Sequence, residues 1–161
     1  MEYVKLGDSD LMVSKVCLGC MGFGEAQKGM HSWTLPYEES KKIIKYALDN
    51  GINFFDTAMG YQRGTSEAFL GKAIKEYAKR EDVIIATKFI PRTQEEIEQG
   101  IDAKQHIENC LNGSLKRLDM DYVDLYILHM WDYNTPIEDI MAALHDVIRQ
   151  GKVRYIGISN C

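Results

Sequence analysis

Val83-Ile84-Ile85-Ala86-Thr87-Lys88 is an apolar, strand-forming run that ends on a charge, and Val123-Asp124-Leu125-Tyr126-Ile127-Leu128-His129 repeats the design further along. Near-continuous apolar strands of this kind suit a parallel sheet covered on both faces. Upstream, Val16-Cys17-Leu18-Gly19 and Asn53-Phe54-Phe55-Asp56 read the same way, and downstream so does Val153-Arg154-Tyr155-Ile156-Gly157-Ile158. Helical spacing fills the intervals. Residues 37–50 place Ile43, Ile44, Ala47 and Leu48 on one side, with Gly51 as a stop. Residues 66–79 bring Phe69, Leu70, Ala73, Ile74 and Tyr77 together, and residues 103–119 align Ile107, Leu111, Leu115 and Leu118. Thr135-Pro136-Ile137-Glu138 reads as an N-cap, a first-turn proline and a capping-box glutamate, with Gly151 ending that helix.

Strand starts recur every 30–40 residues or so, the length of a βα unit. Residues 3–13, turning at Gly7-Asp8-Ser9-Asp10, read as a small hairpin outside the repeat. The class is α/β. Five such strands suit either an open doubly wound sheet or part of a closed (β/α)₈ barrel. No linker or low-complexity tract divides the chain, so residues 1–161 are expected to form a single domain.

Composition narrows the function classes. The 161 residues are 45% hydrophobic and 27% charged, a globular balance rather than a disordered one. The net charge of -5 argues against a general attraction to nucleic acid or an anionic membrane. No apolar run approaches the roughly 18–20 residues of a membrane span. The opening MEYVKLGDSD lacks the pattern of a secretory signal, so a cytoplasmic location is expected. Four cysteines are too few for a disulfide framework at this size. Cys17-x-x-Cys20 lacks a second ligand pair, since Cys110 and Cys161 stand alone. The two are read as small buried hydrophobes, and no metal site is expected.

Both candidate folds do their chemistry at the carboxyl ends of parallel strands. Asp56 closes the second strand, with Tyr61 five residues on. Lys88 follows the third, His129 follows the fourth, and Ser159-Asn160 ends the fifth. A free phenol, with a pKa of about 10, is a poor acid at neutral pH. A neighbouring lysine ammonium stabilises its phenolate, and a carboxylate keeps a buried lysine charged. A histidine beside the phenol can orient and polarise a carbonyl. Such a set suits carbonyl reduction rather than glycoside hydrolysis, which needs a carboxylate pair.

With these residues goes a family resemblance. Leu18–Gly24, Gly51–Ala58 with Gly60-Tyr61, Ala86-Thr87-Lys88, Tyr122–His129 and Gly151–Asn160 are similar, in order, to the aldo-keto reductases, NADPH-dependent (β/α)₈-barrel oxidoreductases. The resemblance implies the first five βα strands of that TIM barrel, preceded by the hairpin. It makes Tyr61 the general acid, Lys88 the cation that assists it, Asp56 the partner of Lys88, and His129 the residue that positions a small-molecule carbonyl substrate. Ser159 and Asn160 would hold the nicotinamide carboxamide of NADPH. The backbone of Met21 and Gly22, with Asp56, would line the ribose end. Gly19-x-x-Gly22-x-Gly24 is read as a strand-to-loop turn, not a dinucleotide fingerprint. His31, Trp33 and Trp131 fall by the rim as candidate pocket walls, with packing against a neighbouring loop the other reading of Trp131.

A complete barrel takes about 250 residues, so three βα units are expected to be missing here. That would leave the first and fifth strands as open edges, to be covered by self-association or by a C-terminal half on another chain. A catalytically silent binding or regulatory subunit, or an inactive fragment, is the alternative to an enzyme. Reductase-like barrels that serve ion channels are the family precedent.

Overall fold

The computed structural model describes residues 1–160; Cys161 lies outside the described residues. Two short antiparallel strands come first, β1 (Tyr3–Lys5) and β2 (Met12–Ser14). Gly7, at φ +59°, supplies the left-handed residue of their turn, and the Ser9 hydroxyl donates to the Leu6 carbonyl. Five parallel strands follow: β3 (Cys17–Gly19), β4 (Phe54–Asp56), β5 (Ile84–Phe89), β6 (Val123–Leu128) and β7 (Val153–Ile158). The helices between them are α1 (Tyr37–Asp49), α2 (Thr65–Tyr77), α3 (Gln94–Glu98), α4 (Ala103–Leu118) and α5 (Ile137–Arg149).

The strand order β3-β4-β5-β6-β7 never reverses. A doubly wound sheet reverses its order at a switch point and carries helices on both faces. Here the helices form one row, α1 against α2, α2 against α4 and α4 against α5. This is the wall of a (β/α)₈ barrel, five strands long among the described residues, with β3 and β7 at its edges.

Alternation along the strands sorts the two sides of that wall. Ile85 and Phe89 of β5, with Phe55 of β4 and Tyr126 of β6, pack outward into the helix-covered core. Ile107, Leu111 and Leu118 of α4 complete it at 2% exposure or less, so truncating any of them to alanine should cost about 2–5 kcal/mol. Ile84 belongs instead to an inner cluster with Leu11 and Val13, against which Phe54 and Tyr155 rest. The hairpin is tied to the amino end of the wall: Ser14 N donates to Asn53 Oδ1 at 2.7 Å, and Asn53 Nδ2 donates to the Met12 carbonyl at 2.9 Å. The carboxyl ends of the strands form the opposite rim.

Three local readings change. Ile43 is 39% exposed, because the buried stripe of α1 runs through Ser40, Ile44 and Ala47. Thr135 does not cap α5. Pro136 occupies that position, and the Thr135 hydroxyl donates to Asp132 while accepting from Arg92. Cys20 is fully buried as expected, but Cys17 is exposed, on the inner side of the edge strand β3. The short α3 is announced by a capping box rather than by apolar periodicity: Thr93 Oγ1 accepts from Glu96 N, and the Glu96 carboxylate accepts from Thr93 N.

Candidate active site

Beyond β4 the ladder with β5 continues for several residues. Thr57 N donates to the Ala86 carbonyl at 2.9 Å, and Met59 N to the Lys88 carbonyl at 3.1 Å. This holds the segment leading to Tyr61 against the end of β5, so two side chains 27 positions apart meet. Tyr61 opens a tight turn, Tyr61–Gly64, where Gln62 and Arg63 both take left-handed backbone at φ 47° and 52°.

The Lys88 ammonium, only 7% exposed, lies at the centre. It donates to Asp56 Oδ1 at 2.5 Å, to the Thr57 carbonyl at 2.9 Å and to the Tyr61 hydroxyl at 3.2 Å. Its three N–H groups therefore have three acceptors, one of them a carboxylate that offsets the cost of burying the charge. The His129 ring stands edge-on to Tyr61, with centroids 5.6 Å apart. Burial first, and then the charge of Lys88, push the His129 imidazole below its ordinary pKa of 6.5, so it is neutral at pH 7. Its Nδ1 is buried without a hydrogen-bond partner.

The remaining expected positions surround this cluster. His129 N donates to the Phe89 carbonyl at 2.9 Å, and the His129 carbonyl accepts from Asn160 Nδ2 at 2.8 Å. Asn160, at φ 53°, also donates to Ser159 Oγ, so the end of β7 is fastened to the histidine. On the far side Cys20 N donates to the Asp56 carbonyl at 2.7 Å, placing Met21 and Gly22 next to the aspartate strand. Trp33 stacks on His31, with centroids 4.8 Å apart, and its ring lies beside Gly22. Trp131 is different. It packs half-buried against the core and lines an apolar groove with Ile137, Met141 and Ile158.

The structure thus brings Asp56, Tyr61, Lys88 and His129 into one cluster, flanked by Ser159-Asn160 and by Met21-Gly22. Sequence reasoning missed the supports. Thr57 and Ser66 share a buried hydroxyl contact at 2.9 Å, and Ser66 reaches on to the Cys20 carbonyl. Arg92 and Asp132 meet through the Thr135 hydroxyl, joining the loops after β5 and β6. Gln62, 2% exposed, ties the tyrosine turn to the loop after β3. Apart from Thr57–Ser66 and Thr135–Asp132, which are local, these contacts join segments 31 or more residues apart with no periodic pattern; the one local hint is a polar residue in an apolar setting.

A model of the aldo/keto reductase family matches residues 15–161. Versiconal hemiacetal acetate reductase of Aspergillus parasiticus is 40% identical over 178 residues, which cover 99% of this chain and 51% of that protein. A probable voltage-gated potassium channel subunit beta of Oryza sativa subsp. japonica is 38% identical, over 99% of this chain and 46% of that protein. Among solved structures, an aldo-keto reductase from Klebsiella pneumoniae in complex with NADPH superposes with a TM-score of 0.74 at 28% identity. That match covers 93% of this chain and 46% of the other. The chain spans about half the length of the curated relatives it matches.

Proposed function

The chain belongs to the aldo/keto reductase family, and from that premise we propose that it carries the proton-delivering machinery of an NADPH-dependent reduction of aldehydes and ketones. The observation that carries this reading is the Lys88 ammonium shared between Asp56 and Tyr61, beside a neutral His129. Tyr61 delivers its proton to the carbonyl oxygen. The negative charge left on the phenol oxygen develops 3.2 Å from the Lys88 ammonium, which stabilises it most where water is scarce. Asp56 holds the lysine in place and compensates its charge. The neutral His129 ring offers one N–H to the same carbonyl oxygen and orients it.

The chemistry of the rim fits a nicotinamide. Ser159 and Asn160 bring a hydroxyl and a carboxamide to the end of β7, a donor and acceptor set complementary to the carboxamide of that ring. A Cβ at Gly19 or Gly60 would meet nothing within 4 Å, so the wall is open where β3 and β4 end. When bound, the reduced nicotinamide supplies the hydride. Met21 and Gly22, next to Asp56, would border its ribose. The substrate is a small carbonyl compound, and in this reading the protein works in the cytoplasm.

The test is NADPH oxidation by the full chain with aromatic and aliphatic aldehydes, compared with Tyr61→Phe. Turnover should fall roughly 10³-fold in the variant, within the range of a lost general acid, while NADPH affinity stays within about twofold. Turnover that survives the substitution would remove Tyr61 from its role. The similarity to a channel subunit favours one other reading, a reductase fold that binds rather than turns over. NADPH binding with no turnover of any aldehyde would favour that one.

A further inference from the structure

We propose that Gln62 is a positioning residue that locks the loop over residues 24–34 onto the turn carrying Tyr61, so that the His31–Trp33 wall and the acid form one rigid unit. This rests on the reading of Tyr61 as the proton donor. Three independent features converge on Gln62. First, it holds a left-handed backbone, at φ 47°, directly after Tyr61, and the next residue does so too. Left-handed backbone is costly for a side chain of this length and persists only where the surroundings over-determine it.

Second, its amide is 2% exposed and saturated by the loop. Gln62 Oε1 accepts from His31 N at 3.0 Å. Gln62 Nε2 faces the His31 carbonyl at 2.8 Å, Thr34 Oγ1 at 3.0 Å and the Glu25 carbonyl at 3.2 Å. All of these partners lie on one loop, and none lies in the turn's own segment. Two bonds brace the same junction: Thr65 Oγ1 donates to the Gln62 carbonyl at 2.9 Å and accepts from Glu25 N at 3.0 Å.

Third, two glycines make room for it. A Cβ at Gly29 would fall 2.1 Å from Gln62 Oε1 and 2.6 Å from its Cα. A Cβ at Gly24 would fall 2.7 Å from Gln62 Cβ. Gly29 does not have positive φ, so it is a glycine for space and not for backbone freedom. The loop is shaped around this one side chain. Trp33, at 58% exposure, stands beside Gly22 at the rim, so the position of the clamp sets the width of the entrance for a carbonyl substrate.

Two variants test this in the full chain. Gln62→Asn keeps an amide and a residue that tolerates left-handed backbone, but it is one methylene too short to span to the loop. Gly29→Ala leaves Gln62 untouched and lifts the loop off it. Trp33 and Trp131 are the two tryptophans of the sequence, so in a Trp131→Phe background the anisotropy of Trp33 reports loop order without any turnover. Both variants should lower that anisotropy. In the otherwise unaltered enzyme both should raise KM for an aromatic aldehyde roughly tenfold while kcat stays within about threefold, because Tyr61 keeps its contact with Lys88. Unchanged anisotropy in both variants overturns the clamp. A loosened Trp33 with unchanged KM overturns its part in substrate entry. If the parent enzyme reduces no aldehyde, the functional reading fails by itself, and the anisotropy still decides the clamp.

Discussion

Two buried ion clusters sit at opposite ends of the same strands, and they are built alike but finished differently. Near the amino end of β6, Asp124, 1% exposed, accepts from Arg80 at 2.6 Å, from Arg154 at 2.9 Å and from Ile85 N at 2.9 Å. Arg80 also donates to the Val83 and Tyr122 carbonyls and lies over the Tyr122 ring, while Arg154 reaches on to Asp10 of the hairpin. Both carboxylate oxygens of Asp124 are used, although Arg80 Nε is buried without a partner and Arg154 stays partly exposed. At the carboxyl end, Lys88 is as well paired, but Asp56 and Tyr61 are only half-buried. One of them is a phenol that can lose a proton, and the His129 beside it keeps a buried nitrogen without a partner. A carboxylate filled by two guanidinium groups and a backbone N–H holds strands together. A cluster that holds an exchangeable phenol proton at the rim can act on a ligand. That is the asymmetry between the stability end and the catalytic end of a barrel wall.

The comparison makes sharp expectations. Lys88→Met should lower carbonyl turnover roughly 10³-fold, about 4 kcal/mol of transition-state stabilisation. It should change unfolding stability by no more than about 1 kcal/mol, since Asp56 can turn to water. Asp124→Ala should do the reverse. It strands two guanidinium groups and the Ile85 N–H, costing about 3 kcal/mol in denaturant unfolding, with kcat of the folded enzyme within about twofold. If the two substitutions affected activity equally, the division of labour would be wrong.

A smaller effect comes from a third polar cluster, under the loop after β5. His106 is 4% exposed, with Nδ1 2.9 Å from Glu96 Oε1 and Nε2 2.8 Å from the Ile90 carbonyl. Two acceptors on one ring require two N–H donors, so the ring is cationic. Burial opposes that charge, but contacts with the Cys110 sulfur, the Ile90 carbonyl and the Glu96 carboxylate outweigh it and raise the pKa from 6.5 to about 9. A raised folded-state value stabilises the protein fully below pH 6.5, and the contribution fades as pH climbs to about 9. The loss should be roughly 2–3 kcal/mol across that window. Thermal melts at pH 6 and 9 should show it, and Glu96→Gln should flatten the difference. A melting temperature independent of pH in the parent, matched by Glu96→Gln, would remove the cation from this account.

The rim residues were readable before the fold because each ends a strand the sequence announces plainly. Apolar runs closing on Lys88 and His129 put those side chains at a strand terminus, and Asp56 follows Phe54-Phe55 in the same way. The helices were readable from the same physics. Ile107, Leu111, Leu115 and Leu118 recur with the period of a helix and are all buried. Periodicity misled at Ile43, where the pattern is wider than the stripe its neighbours cover. The capping motif misled at Thr135, where a hydrogen bond to Asp132 outcompetes the cap.

By itself the sequence determined the α/β class, the order of the five strands along the chain, and the four side chains at their carboxyl ends. Local propensity and burial period are properties of neighbouring residues, and so they can be read from neighbours. The periodic pattern left a barrel wall and a doubly wound sheet both open, the resemblance implied the barrel, and the strand order of the tertiary structure, which never reverses, bears that out. The resemblance implied that Lys88 serves both Asp56 and Tyr61, but only the tertiary structure brought its ammonium within reach of each, and it alone showed Gln62 gripping a loop some 30 residues upstream. Hydrogen bonds of that reach depend on where packed elements deliver two atoms to within about 3 Å, and no repeat in the chain encodes that distance.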